Sequence, residues 1–132
     1  MFQKFENIDL KLEKLVFLLN AEEGNTGIHE LTLELTKYNL VIEDTYKVAR
    51  VILNEIIRED LVVLERYSDS SLHNYLTGIR YDELPALLNN PMCWYPCNEI
   101  LAIRITEKGA KYLDEAMPQY AEKLKRRLYG NA

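Results

Sequence analysis

Cysteine, proline and glycine are all scarce in this chain: 132 residues include 2 Cys, 4 Pro and 5 Gly. Two cysteines cannot build a disulfide framework, so Cys93 and Cys97 are read as free thiols in a reducing compartment. With so little glycine and proline, and with 10% aromatic residues, collagen-like, low-complexity and disordered chains are excluded. No stretch approaches the roughly 18 to 20 consecutive apolar residues of a membrane span. The N-terminus also lacks a basic region followed by an apolar run and a small-residue cleavage site. A cytoplasmic protein without membrane contact is expected.

Positive charge is the other shortage. Lys and Arg number 16 against 21 Asp and Glu, a net charge of −5, which repels phosphate at long range. Any nucleic-acid contact must therefore come from a local basic patch. Residues 1–60 hold 7 basic and 12 acidic side chains, 68–99 hold 1 and 4, and 100–132 hold 7 and 4, so only the C-terminal quarter is basic.

What the chain does have is an ordinary globular balance, 48% apolar and 28% charged, in a length suited to one domain spanning 1–132. Phe5, Ile8, Leu12, Leu15 and Leu19 share one stripe and predict a helix from about residue 3 to 20. Glu23 to Gly27 supplies the residues that end one helix and start another, and a second helix follows at roughly 28–38 with Ile28, Leu31 and Leu35 inward. A third runs from Val41 to about Ile57. Val48, Ala49, Val51, Ile52, Leu53, Ile56 and Ile57 cover most of its circumference, and Glu43, Lys47, Arg50, Asn54 and Arg58 form its polar ridge.

The β-branched run Leu61–Tyr67 predicts a strand, as does Ile100–Ile105, with Thr106 capping the helix behind it. Between the strands, Ser68 to Ser71 reads as a turn or helix start and Gly78 as a breaker. A short helix capped by Asp82, with Pro85 in its first turn, precedes a stop at Asn89-Asn90-Pro91. Trp94, in an apolar proline-bracketed loop, is expected to tuck back onto the body. Pro118 is read as a break, followed by a last helix to about Leu128 in which Tyr120, Leu124 and Leu128 form either core or a dimer seam.

Leu101-Ala102-Ile103-Arg104-Ile105-Thr106-Glu107-Lys108-Gly109-Ala110-Lys111-Tyr112-Leu113 resembles the strand-to-helix passage of MarR-type winged helix-turn-helix regulators. Ile57 to Arg66 is similar to that family's passage from recognition helix to first wing strand, and the resemblance covers about 28–67 and 100–117. It implies a mostly α protein with a small β wing, of α+β class, carrying a helical insertion at about 68–99 and a C-terminal helical extension at about 107–129. It also implies a recognition helix whose Lys47, Arg50, Asn54 and Arg58 read DNA, and a homodimer paired through terminal helices. This chain departs from the family at Glu43 and Asp44, which would face phosphates, at Asp60, which replaces a corner glycine, and at the acidic insertion itself.

Each constellation has more than one reading. The Lys47, Arg50, Asn54 and Arg58 ridge is a solvated helix face, a DNA reader or a partner-protein ridge. Leu88, Trp94 and Tyr95 in the insertion are candidate protein contacts. Cys93, Cys97, His29 and His73 lack the paired short spacings of zinc modules, so neither a metal nor another cofactor is expected. No nucleophile elbow, phosphate loop or metalloprotease motif is present, so catalysis is not expected. The resulting expectation is a non-catalytic module of protein interaction or regulatory assembly, the alternative being a DNA-binding transcriptional regulator. Small-molecule sensing beneath the insertion is a third reading, by fold analogy alone.

Overall fold

The computed structural model describes residues 7–24, 26–68, 72, 74–94 and 99–130. Phe5, His73, Tyr95, Cys97 and part of the Ser68 to Ser71 turn lie outside them.

The chain is mostly helical with a four-stranded antiparallel sheet, an α+β architecture. Helix α1 spans Leu10–Glu23 and starts where the Asp9 carboxylate accepts the Leu12 amide at 3.1 Å. Its start is therefore later than the apolar stripe predicts, and Ile8 is buried ahead of the cap. Every side chain from Leu12 to Leu18 is buried, which makes α1 the central helix of the fold.

The strand Thr26–Gly27 (β1) follows, tied to the end of α1 because the Thr26 hydroxyl reaches the Asn20 and Gly24 carbonyls at 3.0 and 3.1 Å. Helix α2 (Ile28–Glu34) continues as a 3-10 turn at Leu35–Tyr38, with Ile28, Leu31 and Leu35 inward as expected. Helix α3 spans Ile42–Arg58 and buries Val48, Ala49, Ile52, Leu53, Ile56 and Ile57. Val51 departs from expectation and is exposed. The apolar set is wider than the face that α3 turns to the core.

Asp60 turns the corner out of α3 at φ 61°, a left-handed conformation that Asp tolerates better than most residues. Strand β2 (Val62–Tyr67) pairs along its whole length with β4 (Ile100–Ile105), from Val62 opposite Ile105 to Tyr67 opposite Ile100. Between them lies a strand that sequence reading missed, β3 (Tyr75–Gly78), which pairs with the other edge of β2. The sheet order is β1-β4-β2-β3. Beyond β3, a 3-10 turn at Tyr81–Glu83 leads into helix α4 (Leu84–Leu88), and a second 3-10 turn covers Pro91–Trp94. Asp82 does not cap α4. It sits inside the preceding turn, 3.3 Å from the Arg80 guanidinium.

Helix α5 spans Glu107–Tyr129 and passes through Pro118 without a break. Proline costs an interior helix one hydrogen bond and a steric clash. Here Pro118 faces solvent while Leu113 and Leu124 on the opposite side are buried against the core, so packing outweighs the local cost. Tyr120 and Leu128, half-buried, pack against the same core, in keeping with the core reading of that stripe. The start of α5 is held by Thr106, whose hydroxyl accepts the Gly109 amide at 2.9 Å and reaches the Leu61 carbonyl at 3.1 Å. Gly109 is required there, because a β-carbon would lie 1.9 Å from the Leu61 oxygen. Among the described residues no helix is long and apolar enough to cross a membrane.

Candidate functional site

The polar ridge of α3 and the inserted segment meet. Trp94 is buried, its indole N–H donating to the Leu88 carbonyl at 3.0 Å, and its ring meets Tyr46 of α3 edge to face at 5.6 Å. Leu84 and Leu88 are buried with it. This tucks Trp94 back onto the body as expected. Leu88 and Trp94 face inward, where their apolar area is removed from water; they anchor the insertion and show only the edges that line the cleft beside it. Tyr95, their companion as a candidate protein contact, lies outside the described residues.

The anchoring leaves a cleft of about 360 Å³ between α3 and the insertion, walled by Tyr46, Leu88, Pro91 and Trp94, with Glu43, Arg50 and Asn89 at its polar edge. A second recess of about 200 Å³ adjoins it along α3, lined by Val51, Asn54, Leu84 and Pro85, and shares Arg50, Leu88 and Asn89 with the first. Arg50 therefore stands between the two. Its guanidinium has no hydrogen-bond or ion-pair partner among the described residues, and neither has the Glu43 carboxylate. The other ridge residues differ. Lys47 is exposed, while Asn54 accepts the Arg58 Nε–H at 2.8 Å, so those two side chains hold each other. The structure thus brings Arg50 and Asn54 to the insertion and leaves Lys47 and Arg58 on the outer surface.

Two of the ionic clusters that escaped sequence reading hold a tyrosine hydroxyl. Glu13 and Arg127, both buried, form a bidentate pair with two 2.8 Å bonds between α1 and α5, and the Tyr38 hydroxyl also donates to Glu13. Burial, reinforced by the Glu13 bond and charge, pushes the Tyr38 hydroxyl far above its ordinary value. Burial by itself lowers Arg127, but the bonds and negative charge of Glu13, with Tyr38 and Glu34, outweigh it and leave the guanidinium raised. The Arg127 Nη1 is buried without a partner. The second cluster is Glu65 on β2, which accepts both Arg104 of β4 at 3.1 Å and the Tyr67 hydroxyl at 3.1 Å. Burial and then the Glu65 charge raise Tyr67. A signal for the first cluster did exist: Glu13 shares a helix face with Leu10, Val16 and Phe17, and Arg127 lies three residues after Leu124 on α5.

Among the described residues no group of three or more His, Cys, Asp or Glu could hold a metal ion. His73 and Cys97 lie outside them; Cys93 is half-buried. Comparison with known proteins finds no matching family model, no matching curated protein and no matching solved structure.

Proposed function

We propose that this chain is a winged-helix module of the cytosol that works by protein recognition on the face where α3 meets the insertion, and that it is not a catalyst. The winged-helix reading is supported by connectivity. The two-residue β1 ahead of α2 pairs with β4, and β4 pairs with the strand that leaves α3, so β1, β4 and β2 frame α2 and α3. The short strand β3 extends this wing, and residues 79–99 are the added material.

The observation that carries the protein-recognition reading is the position of the insertion beside Arg50 and Asn54. A B-DNA major groove is about 12 Å wide and an α-helix with its side chains is about 10–12 Å across, so the groove admits one helix. With Trp94 against Tyr46, and α4 across the cleft from Arg50 and Asn54, α3 enters such a groove only by carrying the insertion with it. Glu43, Asp44 and the net negative insertion add repulsion from phosphate. The ionisable side chains with raised values, Lys14, Tyr38, Tyr67, Arg104 and Arg127, engage internal partners, which favours structural roles for them.

The test is a titration of labelled random-sequence duplex at low and at physiological salt, using the whole chain. No binding at either salt is expected. Salt-sensitive binding at roughly 10⁻⁴ to 10⁻⁶ M, lost on charge reversal at Lys47 and Arg50, would overturn the reading in favour of a DNA-binding regulator.

A further inference from the structure

We infer that the paired recesses along α3 bind a short extended peptide segment in which a large apolar residue lies two positions from an acidic one, and that Arg50 is the residue that selects the acid. This rests on the protein-recognition reading and gives the partner's chemistry. Three observations lead to it.

The first is shape. The recesses share Arg50, Leu88 and Asn89 and follow α3 from Glu43 to Asn54. Eleven residues of helix rise about 16 Å, the length of about five residues of extended chain at ~3.3 Å each. A groove of that length suits a peptide better than a compact metabolite.

The second is the inequality of its two halves. The larger recess, about 360 Å³, has aromatic walls in Tyr46 and Trp94 and aliphatic ones in Leu88 and Pro91. It suits an aromatic or other large apolar side chain. The smaller, about 200 Å³, is walled by Val51, Leu84 and Pro85 and takes a smaller one. In an extended chain side chains alternate between faces, so residues two apart can fill the two recesses while the backbone crosses between them. At that crossing stands Asn89, whose amide both donates and accepts.

The third is charge. Arg50 sits at the crossing with no partner among the described residues. A guanidinium without a carboxylate beside a half-apolar cleft is suited to a bidentate acid from outside. Glu43, seven residues earlier on α3 and also without a partner among the described residues, disfavours a second acid at the far end and suits a Lys or Arg there. The preferred segment therefore reads, along α3 from its N-terminus, basic, large apolar, acidic. Its charge order is opposite to that of the groove.

The experiment is selection from a displayed library of random heptapeptides on the immobilised full-length protein. Enriched peptides are then synthesised with a fluorophore and titrated by anisotropy. The expected result is enrichment of sequences with Asp or Glu within two positions of an aromatic or large aliphatic residue. Binding should weaken at least tenfold with R50E and with a peptide whose acid is changed to its amide, and should be restored when R50E meets a peptide whose acid is changed to Lys. Arg50 is half-exposed, so R50E should fold, which circular dichroism verifies; R50Q is the milder second variant. K125E, on α5, should leave binding unchanged. No enrichment, or enriched peptides that bind R50E and R50Q as tightly as the parent protein, would overturn the inference. The duplex titration reads the parent proposal separately: peptides indifferent to Arg50, in a protein that ignores DNA, sink this inference alone.

Discussion

Replacing Arg127 by Met tests the central packing of the fold. Arg127 makes two 2.8 Å bonds to Glu13, a further bond from Nη2 to the Glu34 carbonyl, and lies 5.4 Å from the Tyr38 ring centroid. Methionine fills much of the same volume but leaves the Glu13 carboxylate with only the Tyr38 hydroxyl. Removing one member of a buried ion pair costs about 3–5 kcal/mol, because the remaining charge stays desolvated. One offset exists: the partnerless Nη1 already carries a desolvation cost of about 1–3 kcal/mol, and it leaves with the guanidinium. A net loss of about 2 kcal/mol is expected. With a urea dependence of about 2 kcal/mol per molar, the midpoint of urea unfolding should fall by about 1 M. The double variant Glu13→Leu with Arg127→Met should recover most of that loss, since apolar replacement of a buried pair is often close to neutral. A loss under about 1 kcal/mol for the single variant, or a double variant whose loss equals the sum of the two singles, would refute a coupled buried pair.

Two further outcomes follow from the same structure. Gly109→Ala places a β-carbon 1.9 Å from the backbone oxygen of Leu61; overpacking should exceed the ~1 kcal/mol of helix propensity gained, so the thermal midpoint should drop by several degrees, and an unchanged midpoint would refute the close approach. Tyr38 is raised in the folded state from an unfolded value of 10.0, so its contribution to stability is complete below pH 10 and is lost as pH rises above it, because only the unfolded state then releases the proton. Urea midpoints should therefore fall above pH 10 and fall less steeply in Tyr38→Phe, while absorbance at 295 nm should show the Tyr38 phenolate forming late; equal slopes for the two proteins would count against the raised value.

Where a local pattern and its packing agree, the sequence was readable. The stripe through Leu12 and Leu15, the inward residues of α2, the cap at Thr106 and the left-handed Asp60 all follow from spacing or from backbone chemistry that neighbouring elements reinforce. Where tertiary contacts override a local rule, it was not. All four residues of β3 are exposed, so no alternation marks it and only its hydrogen bonds to β2 make it a strand. β1 is two residues long, below the reach of any periodicity. Pro118 satisfies every rule for a helix stop, yet the apolar residues on either side of it dock on the core and carry the helix through.

The candidate site shows the same limit at a single residue type. Arg127, Arg104 and Arg50 are each one cation in an amphipathic segment, and spacing along the chain does not separate them. What separates them is what the fold sets opposite. Arg127 meets Glu13 from a residue 114 positions away, and Arg104 meets Glu65 across a strand pair. Both are consumed by the structure, and their positions answer to stability. Arg50 meets the apolar wall made by Leu88 and Trp94, with no carboxylate in reach among the described residues. The insertion creates that difference. Had residues 68–99 been a short hairpin, Arg50 would be one more solvated charge on a helix face. With Trp94 seated against Tyr46, it stands instead at the edge of a cleft whose walls Leu88 and Trp94 supply.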